Sequence, residues 1–525
     1  MQDKKSCLLL AFLVTGFVVI NVLTLHDGHN WGGDFSRYIR QAQNILENKP
    51  YDFSYNLDPW ANYPAGFPLL LAPLIKIFGL NYKILKLPNI LYWLIFLCAL
   101  YPIMKKRIGE KNALLGIMVL ATSPYFFLFK QNILSELPFV AFLYPGIYFF
   151  EKYFNQEKKA SSQKIYLIAI SLLLFFCCVF IRIIGFVIFI SALFYIVVTK
   201  KDKTALMATL GATAACMIAL FLSKTSIESY LFEFSYISLY ERILAFNVHI
   251  LYTFLQFVLF FIPVKTNFTI MFFSVLSPII SLMFYSIFLF MIFSFIYKTI
   301  KRSLGLIDCF SMFYLLAIIT WGVESGPRYI LPLVGLMIIF FVESFNFAYT
   351  IFLRGKSNAF HPIKDILIQI FFLMIIFHNI ISIALVFNFS DDAIKSPVTA
   401  EMVAWVKQNT TPHDRFMHVK PRVWGLLTGR KATTFTNHPQ DKNIKERIRK
   451  FNIDYLVFNK AEAMFVFSPF NDPAFSLEQL KTPRLINLHS GNLSCIQKFN
   501  LSDMLYDDPV WQNKGFAIYK TKRDF

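Results

Sequence analysis

Residues 32–51 read GGDFSRYIRQAQNILENKPY, a polar, patterned stretch that follows directly on the first membrane-length apolar segment, residues 8–25. Phe35, Tyr38, Ile39, Ala42, Ile45 and Leu46 recur at helical spacing, and Arg37, Arg40, Gln41, Gln43, Asn44 and Glu47 occupy the other faces. That is the pattern of an amphipathic helix lying flat on a membrane interface. Asp34 stands at its mouth, and two roles are open to it. It can cap the helix by accepting from a free backbone N–H, worth ~1 kcal/mol, or it can be a catalytic carboxylate. For the second role speak Gly32 and Gly33, which permit close approach, Arg37 and Tyr38 one turn on, and a helix N-terminus, which attracts anions.

The surrounding chain sets the context. Of its 525 residues 56% are hydrophobic, 18% aromatic and only 16% charged, and the mean hydropathy is +0.53. This composition is that of a polytopic α-helical membrane protein. The net charge of +19 does not point to nucleic acid, because many of the lysines and arginines fall in short clusters between apolar segments, where they orient helices. Lys4 with Lys5, Lys105 to Arg107, Lys152 with Lys158 and Lys159, Lys200 to Lys203, Lys298 to Arg302, and Arg354 with Lys356 mark the inner side. The predicted spans are residues 8–25, about 84–104, 113–129 and 137–151, a hairpin over 165–198 with Arg182 at its tip, then about 204–222, 306–322, 329–345 and 366–388. The loop from Lys224 to Arg242 is followed by one or three crossings before Lys298, giving eleven or thirteen spans in all. Pro64, Pro68 and Pro73 interrupt the apolar run 62–79, which suits a short helix dipping into the interface.

Two domains follow: a transmembrane domain, residues 1–390, whose first outer loop is about 26–68, and an outer α/β domain, residues 391–525. In the latter, EMVAWVKQN and KNIKERIRKFN have helical spacing, DRFMHVK and IDYLVFNK read as strands, and no phosphate-loop signature occurs. Cys495 is alone among the seven cysteines in this polar part, so no disulfide staples it internally.

This topology collects four elements on the outer face: Asp34 with Arg37 and Tyr38, Lys130 with Glu136, Arg182, and Arg328 with Tyr329. Any one charge at a membrane boundary ordinarily snorkels to headgroups. Together, several cations and a carboxylate are what holding a lipid-linked phosphate and activating a hydroxyl beside it require. Arginine suits the phosphate because its planar fork makes paired charge-assisted bonds. His26 and His29, with Asp27 and Asp34 nearby, have the chemistry to ligate a divalent metal, but their spacing matches no metal motif and a metal is not the favoured reading.

In order and topology these residues resemble the GT-C class of integral-membrane glycosyltransferases, in the branch of the bacterial aminoarabinose transferases and the protein O-mannosyltransferases. GGDFSRYIRQAQNI is similar to that branch's first-loop motif, NYPAGFPLLLAP to its proline-rich element, SELPF to its second acidic turn, and GPRYILPL to its Arg-Tyr-x-x-Pro segment; EMVAWVKQNTTPHDRF and LLTGRKATTF resemble its outer domain. Two positions depart from the pattern: Phe35 stands where a second carboxylate often follows the first, and Tyr63 stands where the aminoarabinose branch has a lysine. The resemblance implies an inverting transfer of a sugar from a polyprenyl-phosphate donor to a hydroxyl of a lipid, glycan or protein acceptor. It casts Asp34 as base, Glu136 in support, and Arg37, Tyr38, Lys130, Arg182, Arg328 and Tyr329 around the donor phosphate. It also implies a bacterial inner membrane, with the site on the periplasmic side. A polymerase or ligase using a diphosphate-linked oligosaccharide, and a lipid or solute transporter, are the competing readings.

Overall fold

The computed structural model describes residues 14–58, 62–155, 161–222, 286–287, 289–320, 327–352, 361–386, 393–435, 444–459, 508–514 and 516–522. Lys4, Lys5, Lys158, Lys159, the 224–242 loop with the number of crossings after it, Arg354, Lys356 and Cys495 lie outside these residues.

The protein is an integral membrane protein built on long apolar helices. Among the described residues six segments are long and apolar enough to cross a bilayer: Tyr82–Ile108, Ser162–Ile181, Ile183–Lys200, Lys203–Leu222, Leu331–Tyr349 and Lys364–Ala384. Numbered over the described residues, the helices of the first half are α1 (Val14–Leu23), α2 (Gly33–Leu46), α3 (Gly66–Phe78), α4 (Tyr82–Lys86), α5 (Pro88–Ile108), α6 (Glu110–Ala121), α7 (Pro124–Phe129), α8 (Glu136–Asn155), α9 (Ser161–Ile181), α10 (Phe186–Tyr195) and α11 (Lys203–Leu222). Then come α12 (Leu289–Ile300), α13 (Leu306–Thr320), α14 (Leu331–Phe352) and α15 (His361–Val386). α8 runs through the middle, packed on α5 and α9. Close packing there depends on Gly146, whose position would put a Cβ 2.7 Å from the Phe175 ring. The Ser171 hydroxyl seals the same contact by donating to the Gly146 carbonyl at 2.8 Å.

Charge ties the bundle at the end away from Asp34. The Arg107 guanidinium donates to Glu343 at 2.6 Å and to Asp308 at 3.0 Å, and Lys298 reaches Asp308 at 3.0 Å. These contacts join α5, α12, α13 and α14. Each charge of this cluster is paired, as desolvation requires.

Two expectations are corrected. The span placed at 113–129 is broken: α6 ends at Ala121, and Pro124, which has no N–H to continue the ladder, starts α7. α6 alone, with 12 residues, is about 18 Å long, short of a hydrocarbon core of ~30 Å. Nor is the polar face of α2 wet. Its apolar side packs on α3, but Arg37, Gln41 and Asn44 are buried too. Asn44 donates to the Tyr51 and Phe53 carbonyls and Arg37 to Asn62, so the chain after α2 folds over this side, and the C-terminal domain packs a helix on α2 as well.

That domain holds α16 (Pro397–Asn409), α17 (Pro421–Thr428) and α18 (Ile444–Phe451) around a sheet of β1 (Arg415–Met417), β2 (Lys431–Thr433), β3 (Tyr455–Asn459), β4 (Trp511–Gln512) and β5 (Phe516–Lys520). The strand order is β2-β1-β3-β5-β4, parallel on either side of β1 and antiparallel around β5. The expected helices and the buried strand 455–459 are present. α17, β2, β4 and β5 were not expected.

The loop after α2 adds itself to this sheet. Leu57 N–H donates to the Ala432 carbonyl and Ala432 N–H to the Tyr55 carbonyl, both at 2.8 Å, so residues 55–57 cover the β2 edge. Beside them Asp58 is ion-paired with buried Arg447 and accepts from the Thr433 hydroxyl at 3.0 Å. Breaking one side of a buried pair typically costs ~3–5 kcal/mol. Asp58→Ala should therefore lower the unfolding temperature of the purified protein and open the C-terminal domain to limited proteolysis. Glu110→Ala, which removes an exposed pair with Lys105, should leave both unchanged to within ~1 kcal/mol.

Candidate active site

Four groups from distant parts of the chain meet at the N-terminus of α2. Asp34 is the second residue of that helix, and the helix has no side-chain cap. Its carboxylate is engaged elsewhere. The Tyr63 hydroxyl donates to Oδ1 at 2.6 Å, Arg422 Nη1 donates to the same oxygen at 3.3 Å, and Arg328 Nη1 donates to Oδ2. Arg422 Nη1 also donates to the Tyr63 hydroxyl oxygen at 3.0 Å. Burial by itself would push the Asp34 carboxyl up, but the two guanidinium groups and the Tyr63 hydrogen bond outweigh it and hold the carboxyl below the usual range. The Tyr63 phenol moves the other way. Burial and the neighbouring Asp34 push it up to about 12, so it stays a donor.

Local structure explains each arrival. Tyr63 sits on the segment leading into α3, and the Tyr51 hydroxyl donates to its carbonyl at 2.8 Å. α3 can come this close because of Gly66: a Cβ there would lie 2.5 Å from the Phe180 carbonyl oxygen. Arg328 lies in the 3-10 turn Pro327–Tyr329. The Tyr314 hydroxyl holds that turn by donating to the Tyr329 carbonyl at 3.0 Å, and the Tyr144 hydroxyl donates to the Pro332 carbonyl at 2.7 Å. Arg422 follows Pro421, whose fixed φ suits the first turn of α17, and that helix packs on α2.

Behind Arg328 lies a second layer. Glu136, at the start of α8 and 2% exposed, pairs with Arg182 and stands 3.8 Å from Arg328 Nε. Arg182, in the turn between α9 and α10, also donates to the Ser135 hydroxyl oxygen at 3.2 Å, and that hydroxyl shares a hydrogen bond of 2.9 Å with the Tyr38 hydroxyl. The Tyr329 ring faces both cations, 5.3 Å from the Arg182 guanidinium and 5.1 Å from that of Arg328. Its hydroxyl oxygen accepts from Arg328 at 3.3 Å.

The structure thus assembles Asp34, Glu136, Arg182, Arg328 and Tyr329, with Tyr38 joined through Ser135. Arg37 is adjacent: it donates to Asn62 Oδ1 at 3.0 Å and lies 5.5 Å from the Tyr63 ring. Lys130 is not brought in. Its ammonium is folded against α1, donating to Asn21 Oδ1 at 2.8 Å, to the Asn21 carbonyl at 3.1 Å and to the Thr24 hydroxyl oxygen. Burial there lowers its pKa to about 7. The reason is the Pro124 break, which leaves Lys130 at the end of α7 while Glu136 opens the next helix. The residues weighed as metal ligands also part company. His29 Nε2 accepts from Ile133 N–H at 3.1 Å, its Nδ1 lies 3.0 Å from the Asn30 carbonyl, and its ring stacks on Phe35 at 3.8 Å. Asp27 pairs with Lys395 at 2.6 Å. Close approach falls on Gly66 and not on Gly33, where nothing lies within 4 Å of a Cβ.

Tyr63 and Arg422 were missed from the sequence. Tyr63 carried a signal, as the departure from the lysine of the aminoarabinose branch. Arg422 carried none.

Comparison with known proteins gives a consistent fold. The family described as dolichyl-phosphate-mannose-protein mannosyltransferase matches residues 62–228. No curated protein sequence gives a significant match. Among solved structures, the chain is similar to ArnT from Cupriavidus metallidurans bound to undecaprenyl phosphate, with a TM-score of 0.53 at 10% identity over 98% of both chains. It is also similar to the oligosaccharyltransferase AglB from Archaeoglobus fulgidus, in complex with an inhibitory peptide and a dolichol-phosphate, with a TM-score of 0.55 at 13% identity over 88% of this chain and 72% of that one.

Gly66→Ala should displace α3 from the Phe180 backbone and loosen Tyr63, lowering the unfolding temperature. Gly33→Ala has room at the first position of α2 and Ala is the better helix former, so it should leave the temperature unchanged or raise it. A thermal scan of the two variants in detergent checks the contrast.

Proposed function

We propose that the chain, whose fold is that of the GT-C membrane glycosyltransferases, moves a sugar from a polyprenyl-phosphate donor to an acceptor hydroxyl on the outer face of the membrane, with inversion and with Asp34 as general base. The observation that carries this reading is the Asp34 carboxylate held by Tyr63, Arg328 and Arg422. Such a group is kept ionised and pointed, which a base needs before it can take a proton. The likeness to structures that hold undecaprenyl phosphate and dolichol-phosphate supports the donor class. The clusters of lysine and arginine on the opposite side support the outer placement.

In the step itself the acceptor oxygen attacks the anomeric carbon opposite the phosphate and its proton passes to Asp34. The bond from that carbon to the phosphate oxygen breaks, and polyprenyl phosphate departs with the electron pair. Arg328 and Arg182 suit the departing group, whose negative charge grows as the bond lengthens. Arg328 is shared between Asp34 and this duty. As its guanidinium turns to the phosphate, Asp34 loses a counter-charge and its proton affinity rises, so donor binding prepares the base. Glu136, buried behind the two arginines, positions them. The reading calls for no metal ion.

Asp34→Asn keeps the shape and the acceptor for Tyr63 but removes the base. It should cut transfer by ~10²–10⁴-fold in membranes where insertion and expression match the unmodified protein, and retained transfer overturns the assignment. The lipid product should be polyprenyl monophosphate; a diphosphate product refutes the donor class. Because Asp34 in the free protein is held below the ordinary carboxyl value of ~3.9, kcat/KM measured at limiting donor should stay flat from pH 8 to about 5. An acidic limb near pH 6 would contradict it.

A further inference from the structure

The two oxygens of Asp34 are not equally engaged. Oδ1 accepts from the Tyr63 hydroxyl at 2.6 Å and from Arg422 Nη1 at 3.3 Å, whereas Oδ2 accepts, among the described residues, from Arg328 Nη1 alone. A carboxylate oxygen offers two lone-pair positions. Oδ1 is therefore filled, and Oδ2 keeps one position open. The other charged and titratable groups of the cluster, Arg37 and Tyr38 on α2, Glu136 on α8, and Arg182 and Tyr329 in their turns, make their bonds elsewhere.

The two arginines also differ in how firmly they are held. Arg422 opens α17, which is pressed against the 51–55 loop: a Cβ at Gly425 would collide with Tyr55, and the buried Trp424 packs on Phe416 with ring centroids 4.9 Å apart. The Arg422 guanidinium has Tyr63 as a second partner, donating to its hydroxyl oxygen at 3.0 Å and lying 5.9 Å from its ring. Tyr63 in turn is fixed by the Tyr51 hydroxyl on its carbonyl and by the Tyr38 ring at 4.8 Å. Arg328 instead rises from a short 3-10 turn, and its contacts besides Asp34 are looser, 3.3 Å to the Tyr329 hydroxyl and 3.8 Å to Glu136. It is the more open of the two, its side chain 28% exposed against 14% for Arg422. An incoming phosphate, which accepts paired bonds from a guanidinium, meets Arg328 first and draws it from Oδ2. Oδ1 stays clamped.

We propose that Tyr63 and Arg422 are positioning residues that clamp Asp34 Oδ1, and that Oδ2, vacated as Arg328 turns to the donor phosphate, is the atom that takes the acceptor's proton. The assignment rests on the reading of Asp34 as base. The donor then binds before the acceptor is activated. In the transfer the acceptor O–H bond breaks, its proton goes to Oδ2 and its electron pair to the anomeric carbon, and the pair of the bond to phosphate leaves with the polyprenyl phosphate. Among the described residues Arg422 remains as the one counter-charge in contact with the carboxylate, so it sets the proton affinity of the base in the donor complex. The test reads the Asp34 carboxyl directly, by infrared difference spectra of the full chain in lipid nanodiscs with isotope-labelled aspartate, the Asp34 band being assigned by its loss in Asp34→Asn. The probe is undecaprenyl phosphate, and neither acceptor nor turnover is needed. Arg422→Met should raise the pH at which Asp34 protonates by at least about one pH unit with the lipid bound, and by less without it, because Arg328 still covers Oδ2 in the free protein. Arg422→Lys should restore the unmodified titration. Tyr63→Phe, which keeps the ring beside Tyr38, should move the titration the same way as Arg422→Met. A merely structural Arg422 would lower the unfolding temperature and leave the titration in place. An unmoved titration in either variant, or a shift in Arg422→Met of the same size with and without lipid, overturns the proposal. Transfer by Asp34→Asn in membranes reports separately on the base. If that variant retains transfer, the base reading falls and the Oδ2 assignment with it; if transfer is lost while the titration does not move, the clamp alone falls.

Discussion

One carboxylate draws guanidinium groups from two remote parts of the chain. Arg328 is 294 residues from Asp34 in sequence and Arg422 is 388 residues away. Neither cation would remain in that partly buried place without the anion, because desolvated charges of like sign repel and each alone carries an unrecovered hydration cost. The pairing is mutual. Asp34 is kept ionised by the arginines, and the arginines are kept close together by Asp34, while Glu136 lies behind Arg328.

The geometry around this point is stiff because it is assembled from helix ends. Asp34 opens α2, Arg422 opens α17, Glu136 opens α8, and Arg182 and Arg328 occupy tight turns between helices. Groups at such positions inherit the rigidity of the helices behind them. The Tyr314 and Tyr144 hydroxyls, donating to the carbonyls of Tyr329 and Pro332, fix the turn that carries Arg328. The C-terminal domain is then part of the site, not an appendage. It supplies Arg422, packs α17 on α2 and accepts residues 55–57 onto the edge of its sheet.

Much of this was legible in the residues. The apolar runs and basic clusters marked most of the described membrane helices, and the 3.6-residue period of residues 35–46 marked α2. Proline spacing marked α3 as too short to cross. The grouping of Asp34, Glu136, Arg182 and Arg328 followed from counting crossings, since an even number between two loops puts them on one side. Lys130 shows where that logic stops. Being on the same side as Asp34 is a condition on topology, and the direction of a side chain is settled by the helix break at Pro124, which counting does not see.

The sequence by itself determined that the chain is a helical membrane protein with a mixed α/β C-terminal domain, and which charged residues share a face. These are properties of local composition and period, summed along the chain. Only the tertiary structure decided that Tyr63 and Arg422 complete the Asp34 cluster, that Lys130 stays out of it, and that the polar face of α2 is covered. Each of those depends on contacts between segments far apart in sequence, whose energies arise from burial and charge pairing once the segments meet and leave no mark on the local pattern of either one.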